Sequence, residues 1–277
     1  MPWEPLIHHG CGNACGRARP PTRDGQTYFA GQAGVVGIYL GGSLPAATAD
    51  AYSDIDLRVV VEANVHQDFV DRRLDIPRSW DGFLFNEWLE GANHCVSHFR
   101  PFVKIDIFYL DRSAFAASPW FTLPISILHD PQGIVADVLA RSRGLTFAPV
   151  DSEIDRSISK GIAAVHETYR RIQRGELIHS QALLDELRYH MVLADDWVND
   201  RPPRGVAVAR YELRASPAVL SAVAASYVPL DVNGLDRALR VLAVCYRAQV
   251  LTLHERFRLE RPRDHDIEAI DVVLQAK

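Results

Sequence analysis

Lysine is almost absent from this chain. Lys104, Lys160 and Lys277 are the only three among 30 basic residues, so arginine carries nearly all the positive charge, a bias with no functional reading of its own. Long apolar runs are also missing: no stretch reaches the roughly 18 consecutive apolar residues of a membrane-spanning helix. Met1 to His9 lacks the basic start and apolar stretch of a secretory signal. The expectation is a cytoplasmic protein with no membrane partner. Cysteines are few: Cys11, Cys15, Cys95 and Cys245 are too scattered for a disulfide framework in 277 residues and are expected as reduced thiols. Excess positive charge is lacking as well. A formal net charge of −5 gives no general attraction to a nucleic-acid backbone and favours a small or cationic partner.

What is present supports folding. With 48% hydrophobic residues the chain can bury a proper core, and its length suits two modest domains. Residues 1–27 carry His, Gly, Cys, Arg and Pro without periodicity and read as an irregular lead. His8, His9, Cys11 and Cys15 lie within it, at a spacing that matches no standard zinc-finger pattern. From about Tyr28 short apolar runs alternate with turns. Val35 to Leu40 reads as a buried strand ending at Gly41-Gly42, and Ile55 to Val61 as a second. Phe83 to Phe85 suggests a third, and Phe102 to Tyr109 alternates as a fourth. A short apolar run from Ile125 to Leu128 precedes the turn Asp130-Pro131-Gln132-Gly133.

Beyond about Asp151 the period changes. Ile154, Ile158, Ile162, Val165 and Tyr169 recur three or four apart, which predicts a helix. Ser180 is expected to cap a second helix that stops before Arg201-Pro202-Pro203, and Leu235 to Phe257 makes another. The reading is therefore an α/β domain with a mixed sheet over residues 28–145, followed by an all-α domain over 146–277.

The chemistry concentrates in the first half. Gly41-Gly42 lets backbone approach a phosphate closely, and Ser43, expected at the start of a short helix, adds a hydroxyl to free N–H groups. Asp54 and Asp56 sit two apart on a strand and point to one face, where they can grip a hard cation. Asp106 stands in a strand otherwise apolar, where an unpaired carboxylate is costly, so a metal or partner is needed. If its strand neighbours that of Asp56, three carboxylates converge and suffice for two Mg²⁺ about 3.5–4 Å apart.

Gly42-Ser43, then Asp54-x-Asp56, then a distal strand-borne Asp106 resembles the polymerase-β-like nucleotidyltransferase superfamily over roughly residues 35–110. The resemblance implies that Gly42 and Ser43 hold nucleotide phosphates and that Asp54, Asp56 and Asp106 bind Mg²⁺, with Asp106 also first choice as catalytic base. Ala47 departs from the pattern, since many relatives have glycine four residues after the serine, and Pro45 makes a helix start there unusual. With its helical second half, the chain is similar to antibiotic nucleotidyltransferases that act on aminoglycosides or lincosamides. Their reaction implies ATP as donor, AMP transfer to a small-molecule hydroxyl, and pyrophosphate release.

Further candidates follow. Glu87, near a strand end, is the reserve base, and Lys160 is a candidate triphosphate ligand in the helical half. Asp195 and Asp196, on a helix with Asp185, Glu186, Asp200 and Trp197, are candidate substrate-binding residues for a polycationic acceptor, although charges between apolar helix positions are ordinarily a solvated face. The cleft between the two domains is the expected site, and a homodimer is compatible with the sequence. Three other readings stand beside transfer to a small molecule. They are transfer to a protein or tRNA, a non-catalytic nucleotide-binding module, and a ribonuclease. The last rests on Arg247 and His254, which resemble the Arg and His pair of HEPN ribonucleases and share a helix face.

Overall fold

A computed structural model describes residues 21–87 and 90–276. The chain divides into two compact units, Met1–Thr146 and Phe147–Lys277. Among the described residues no helix is long and apolar enough to cross a membrane. The architecture is the expected one, a mixed-sheet α/β unit followed by a helical unit.

In the first unit the strands are β1 (Val35–Gly41), β2 (Ile55–Val61), β3 (Phe83–Asn86), β4 (His94–Phe99), β5 (Val103–Asp111) and β6 (Ser126–His129). The helices are α1 (Pro21–Ala30), α2 (Ala63–Asp71) and α3 (Ile134–Ser142). The sheet order is β3-β4-β5-β2-β1-β6, with β2 and β5 parallel at its centre and every other pairing antiparallel.

Alternation decides what each face does. Ile55, Leu57, Val59 and Val61 of β2, with Ile105, Ile107 and Tyr109 of β5, are buried against Phe29 of α1, Phe69 of α2 and Trp80. Phe29 is fully buried, and truncating such a side chain to alanine costs roughly 3–5 kcal/mol. The other face is divided. At one end Val36, Tyr39 and Val60 pack under Val135 of α3, with Leu110, Phe115 and Phe121 around them. Gly37 lets α3 approach, since a Cβ there would stand 2.6 Å from Val135. At the other end the same face carries Asp56, Lys104 and Asp106 and is polar.

The irregular lead is corrected at its end. Pro21–Ala30 is helical. Gly25, which helped the segment look irregular, brings α1 against the sheet: a Cβ there would be 3.1 Å from both Leu57 and Trp80. The His8, His9, Cys11 and Cys15 cluster lies outside the described residues.

The second unit contains α4 (Asp151–Gln173), α5 (Leu177–Val198), α6 (Pro217–Ala225), α7 (Val232–Arg256) and α8 (Arg263–Gln275). Ile154, Ile158, Ile162 and Val165 of α4 enter one core with Leu184, Leu187 and Met191 of α5 and with Leu239, Leu242 and Tyr246 of α7. Ser180 does not cap α5. That helix begins a turn earlier, and the buried Ser180 hydroxyl donates back to the Glu176 carbonyl at 3.0 Å. Glu176 is fixed at the entry by Arg171 (2.9 Å) and Arg174 (2.8 Å).

Candidate active site

The polar end of the sheet is a grid fixed by strand register. Asp56 of β2 stands directly opposite Asp106 of β5, and Gly41 of β1 lies on the far side of Asp56. Paired residues on neighbouring strands point the same way, so one row runs Gly41, Asp56, Asp106, Val96. The adjacent row runs Arg58, Phe108, His94: the Arg58 guanidinium lies 4.5 Å from the Phe108 ring centre, and the His94 ring stacks on Phe108 at 4.8 Å. On the other side Lys104 pairs with His98, which stacks on Phe85 at 4.4 Å. Asp54, one residue before β2, bonds Lys104 across the strands.

Two glycines make room for this grid. A Cβ on Gly41 would meet the Arg58 guanidinium at 3.3 Å. At Gly42, which has φ +71°, a Cβ would stand 2.0 Å from Asp56 Oδ2. A larger residue there would force the Asp56 carboxylate to move. The short helix expected after Ser43 is absent. Residues 42–47 form consecutive turns, closed by Ala47 N–H to Leu44 (3.2 Å) and Thr48 N–H to Ser43 (3.1 Å). Pro45 removes one donor, and Ala47 adopts φ +54°, the left-handed region that glycine enters without strain. The Ser43 hydroxyl is buried and accepts or donates no hydrogen bond among the described residues.

Electrostatically the carboxylates are held by cations carried on β2 and β5. Lys104 Nζ lies 3.0 Å from Asp54 Oδ2 and 3.0 Å from Asp106 Oδ2. Arg58 reaches Asp56 Oδ1 at 3.4 Å. Burial works against the Lys104 ammonium, but hydrogen bonds to Asp106 and Asp54 outweigh it and keep its pKa above the ordinary value. Burial raises the Asp106 carboxyl, and repulsion from Asp56 and Asp54 adds to it, so its pKa stays high despite Lys104. The second oxygen, Asp106 Oδ1, is buried with no hydrogen-bond partner among the described residues.

The donor set fits a hard divalent cation. It offers three carboxylates on one face, one with an orphaned oxygen, and a glycine turn closing on another. The carboxylates do not, however, meet at an open point. Among the described residues no three His, Cys, Asp or Glu side chains stand in metal-holding arrangement, and Lys104 lies between Asp54 and Asp106.

Other candidates fall elsewhere. Glu87, just past β3, is exposed and takes His98 Nε2 at 2.8 Å, while its N–H bonds Val96, the neighbour of Asp106 in the grid. Lys160 is exposed on α4 in the helical unit. Asp195 and Asp196, the candidate substrate-binding residues, are 2% and 6% exposed. Asp195 Oδ2 accepts from Arg201 (2.7 Å), Tyr211 Oη (3.0 Å) and the Ser216 N–H (3.0 Å), and Asp196 pairs with Arg201 and Arg214. Their charge is spent inside the unit, because the arginines that follow α5 fold back over its end. Arg247 and His254 are likewise committed, Arg247 to Asp271 (2.7 Å) and His254 to the buried Asp266 (2.9 Å), so they do not present a pair to a phosphodiester.

Sequence reasoning passed over Lys104, Arg58 and His98. The signal was available: Asp54-x-Asp56-x-Arg58 and Lys104-x-Asp106-x-Phe108 place all six residues on one face by period two.

No family model matches the chain, and no curated protein matches it. Among solved structures it is similar to a nucleotidyltransferase-like protein from Exiguobacterium sibiricum, with 14% identity and a TM-score of 0.44 over 92% of this chain and 88% of that one. It is also similar to an aminoglycoside 6-adenyltransferase from Bacillus subtilis, with 11% identity and a TM-score of 0.42 over 93% of this chain and 100% of that one.

Proposed function

We propose that this chain is a metal-dependent nucleotidyltransferase that moves a nucleoside monophosphate, AMP from ATP, to a hydroxyl of a small molecule of the aminoglycoside or lincosamide class. The observation that carries the reading is the register: Asp56 opposite Asp106, with Asp54 two residues away on the same face. Mg²⁺ held by Asp54, Asp56 and Asp106 would neutralise the triphosphate.

The protein groups supply the rest. The turn at Gly42 seats Asp56 against the backbone, and the Ser43 hydroxyl, which has no hydrogen-bond partner among the described residues, would be the donor to a phosphate. Asp106 is the proposed base: it stands opposite Asp56 on the carboxylate face, and its Oδ1 has no hydrogen-bond partner among the described residues. In the reaction the acceptor oxygen bonds to the α-phosphorus, the bond from that phosphorus to the oxygen bridging to the β-phosphate breaks, and the acceptor proton passes to Asp106. Pyrophosphate leaves. Glu87 stays as the reserve base and Lys160 as a candidate for the triphosphate; Asp195 and Asp196, already paired with arginines, are the weaker candidates for the acceptor.

The test is pyrophosphate release with Mg²⁺ and ATP or GTP across aminoglycosides, lincosamides and unrelated polyols. Acceptor-dependent release should fall about a hundredfold or more in Asp54→Asn and Asp56→Asn, with circular dichroism unchanged. Full turnover in both variants would refute the assignment. Label from ATP appearing in RNA or protein instead would move the acceptor to a macromolecule.

A further inference from the structure

Lys104 occupies the place where the proposed function needs a cation. Its ammonium sits 3.0 Å from one oxygen of Asp54 and 3.0 Å from one oxygen of Asp106. It arrives from the same strand as Asp106, two residues before it, so strand period fixes it on the carboxylate face. A monovalent ammonium satisfies each carboxylate with one hydrogen bond, whereas a divalent ion binds at about 2.0–2.1 Å. The two cannot share the gap. Asp106 Oδ1 is meanwhile buried with no hydrogen-bond partner among the described residues, which is an incomplete satisfaction of the cluster and a reason for a better cation to displace Lys104. The side chain is one-third exposed, so its four-carbon stem has solvent to swing into.

We propose that Lys104 is a tethered counter-cation that competes with the divalent metal for Asp54 and Asp106, and that metal entry displaces its ammonium from the cluster. The inference rests on the nucleotidyltransferase reading for the identity of the incoming ion. On displacement the ammonium remains on the face that holds Gly42 and Ser43. There it becomes available to the anionic nucleotide that accompanies the metal.

The scarcity of lysine makes the test clean. The full-length protein is treated with a limiting amine-acylating reagent, with and without Mg²⁺, and the label at each lysine is read by mass spectrometry. Lys160 and Lys277 serve as internal references. In metal-free protein Lys104 should label several-fold more slowly than Lys160, and Mg²⁺ should raise its labelling several-fold while the references stay constant. Labelling of Lys104 that is unchanged or reduced by Mg²⁺ would overturn the inference. A second measurement uses Mn²⁺ alone, followed by electron paramagnetic resonance. Lys104→Met should bind Mn²⁺ about tenfold more tightly than wild type, and equal or weaker binding would count against displacement. The parent reading fails separately. Pyrophosphate release with Lys104 unmoved by Mg²⁺ sinks this inference alone, and Mg²⁺-responsive Lys104 without any release sinks the transfer reading alone.

Discussion

Gly42→Ala is expected to reduce stability and transfer by two separable routes. Gly42 has φ +71°, and an alanine held there costs roughly 1–2 kcal/mol. That lowers the melting temperature by several degrees. The second route is local. The added Cβ would stand 2.0 Å from Asp56 Oδ2, and ordinary contact begins near 3.4 Å, so the carboxylate must retreat by more than about 1 Å. A displacement of that size at a reacting centre costs about a hundredfold in rate. Gly133→Ala separates the two effects: Gly133 has φ +70°, yet a Cβ there meets nothing within 4 Å. Calorimetry should show similar destabilisation in both variants, while pyrophosphate release should fall only in Gly42→Ala. Full transfer by Gly42→Ala, or an equal loss in Gly133→Ala, would refute the claim that the turn exists to seat Asp56.

Other outcomes follow from the same geometry. Ala47→Gly relieves an alanine at φ +54° and should raise the melting temperature by a few degrees, corresponding to about 1 kcal/mol; no gain in calorimetry would refute the strain. Asp195→Ala leaves Arg201, Tyr211 and the Ser216 N–H facing a void and should destabilise the helical unit by about 3–5 kcal/mol, read by thermal melts of the far-ultraviolet signal. Burial pushes the Asp195 carboxyl up, but hydrogen bonds from Ser216, Arg201 and Tyr211 outweigh it and hold the pKa below the ordinary range. Its contribution is therefore complete above about pH 3.9 and lost as pH falls through the depressed value. Melting temperature followed from about pH 5 down to pH 2 should show this acid step in wild type and lack it in Asp195→Asn.

The central strands were legible because alternation of Ile, Leu and Val with polar residues has only one half-buried reading. That Asp56 and Asp106 fall opposite each other was not legible, since register between distant parallel strands is set by long-range packing rather than local pattern. Strand β4 escaped notice because His94, Ser97 and His98 dilute its apolar signal, although Cys95, Ser97 and Phe99 are fully buried. The helix expected after Ser43 failed on Pro45 and Ala47, both visible in the sequence. Asp195 and Asp196 looked solvated by periodicity, and their partners Arg201, Tyr211 and Arg214 come from a segment with no period to read. Pairing of that kind appears only once the chain is folded.

The parallel pairing of β2 with β5 bears on how the molecule assembles. Closing it joins positions 56 and 106 across a long loop, a non-local step that folds slowly relative to hairpins. It also drives like charges together, so an acidic cluster of this kind resists the zipping that creates it. Lys104 and Arg58 ride in on the same two strands and arrive with the carboxylates they neutralise. The nascent chain thereby carries its own counter-ions to the centre of the sheet, and the sheet can close before any metal is captured.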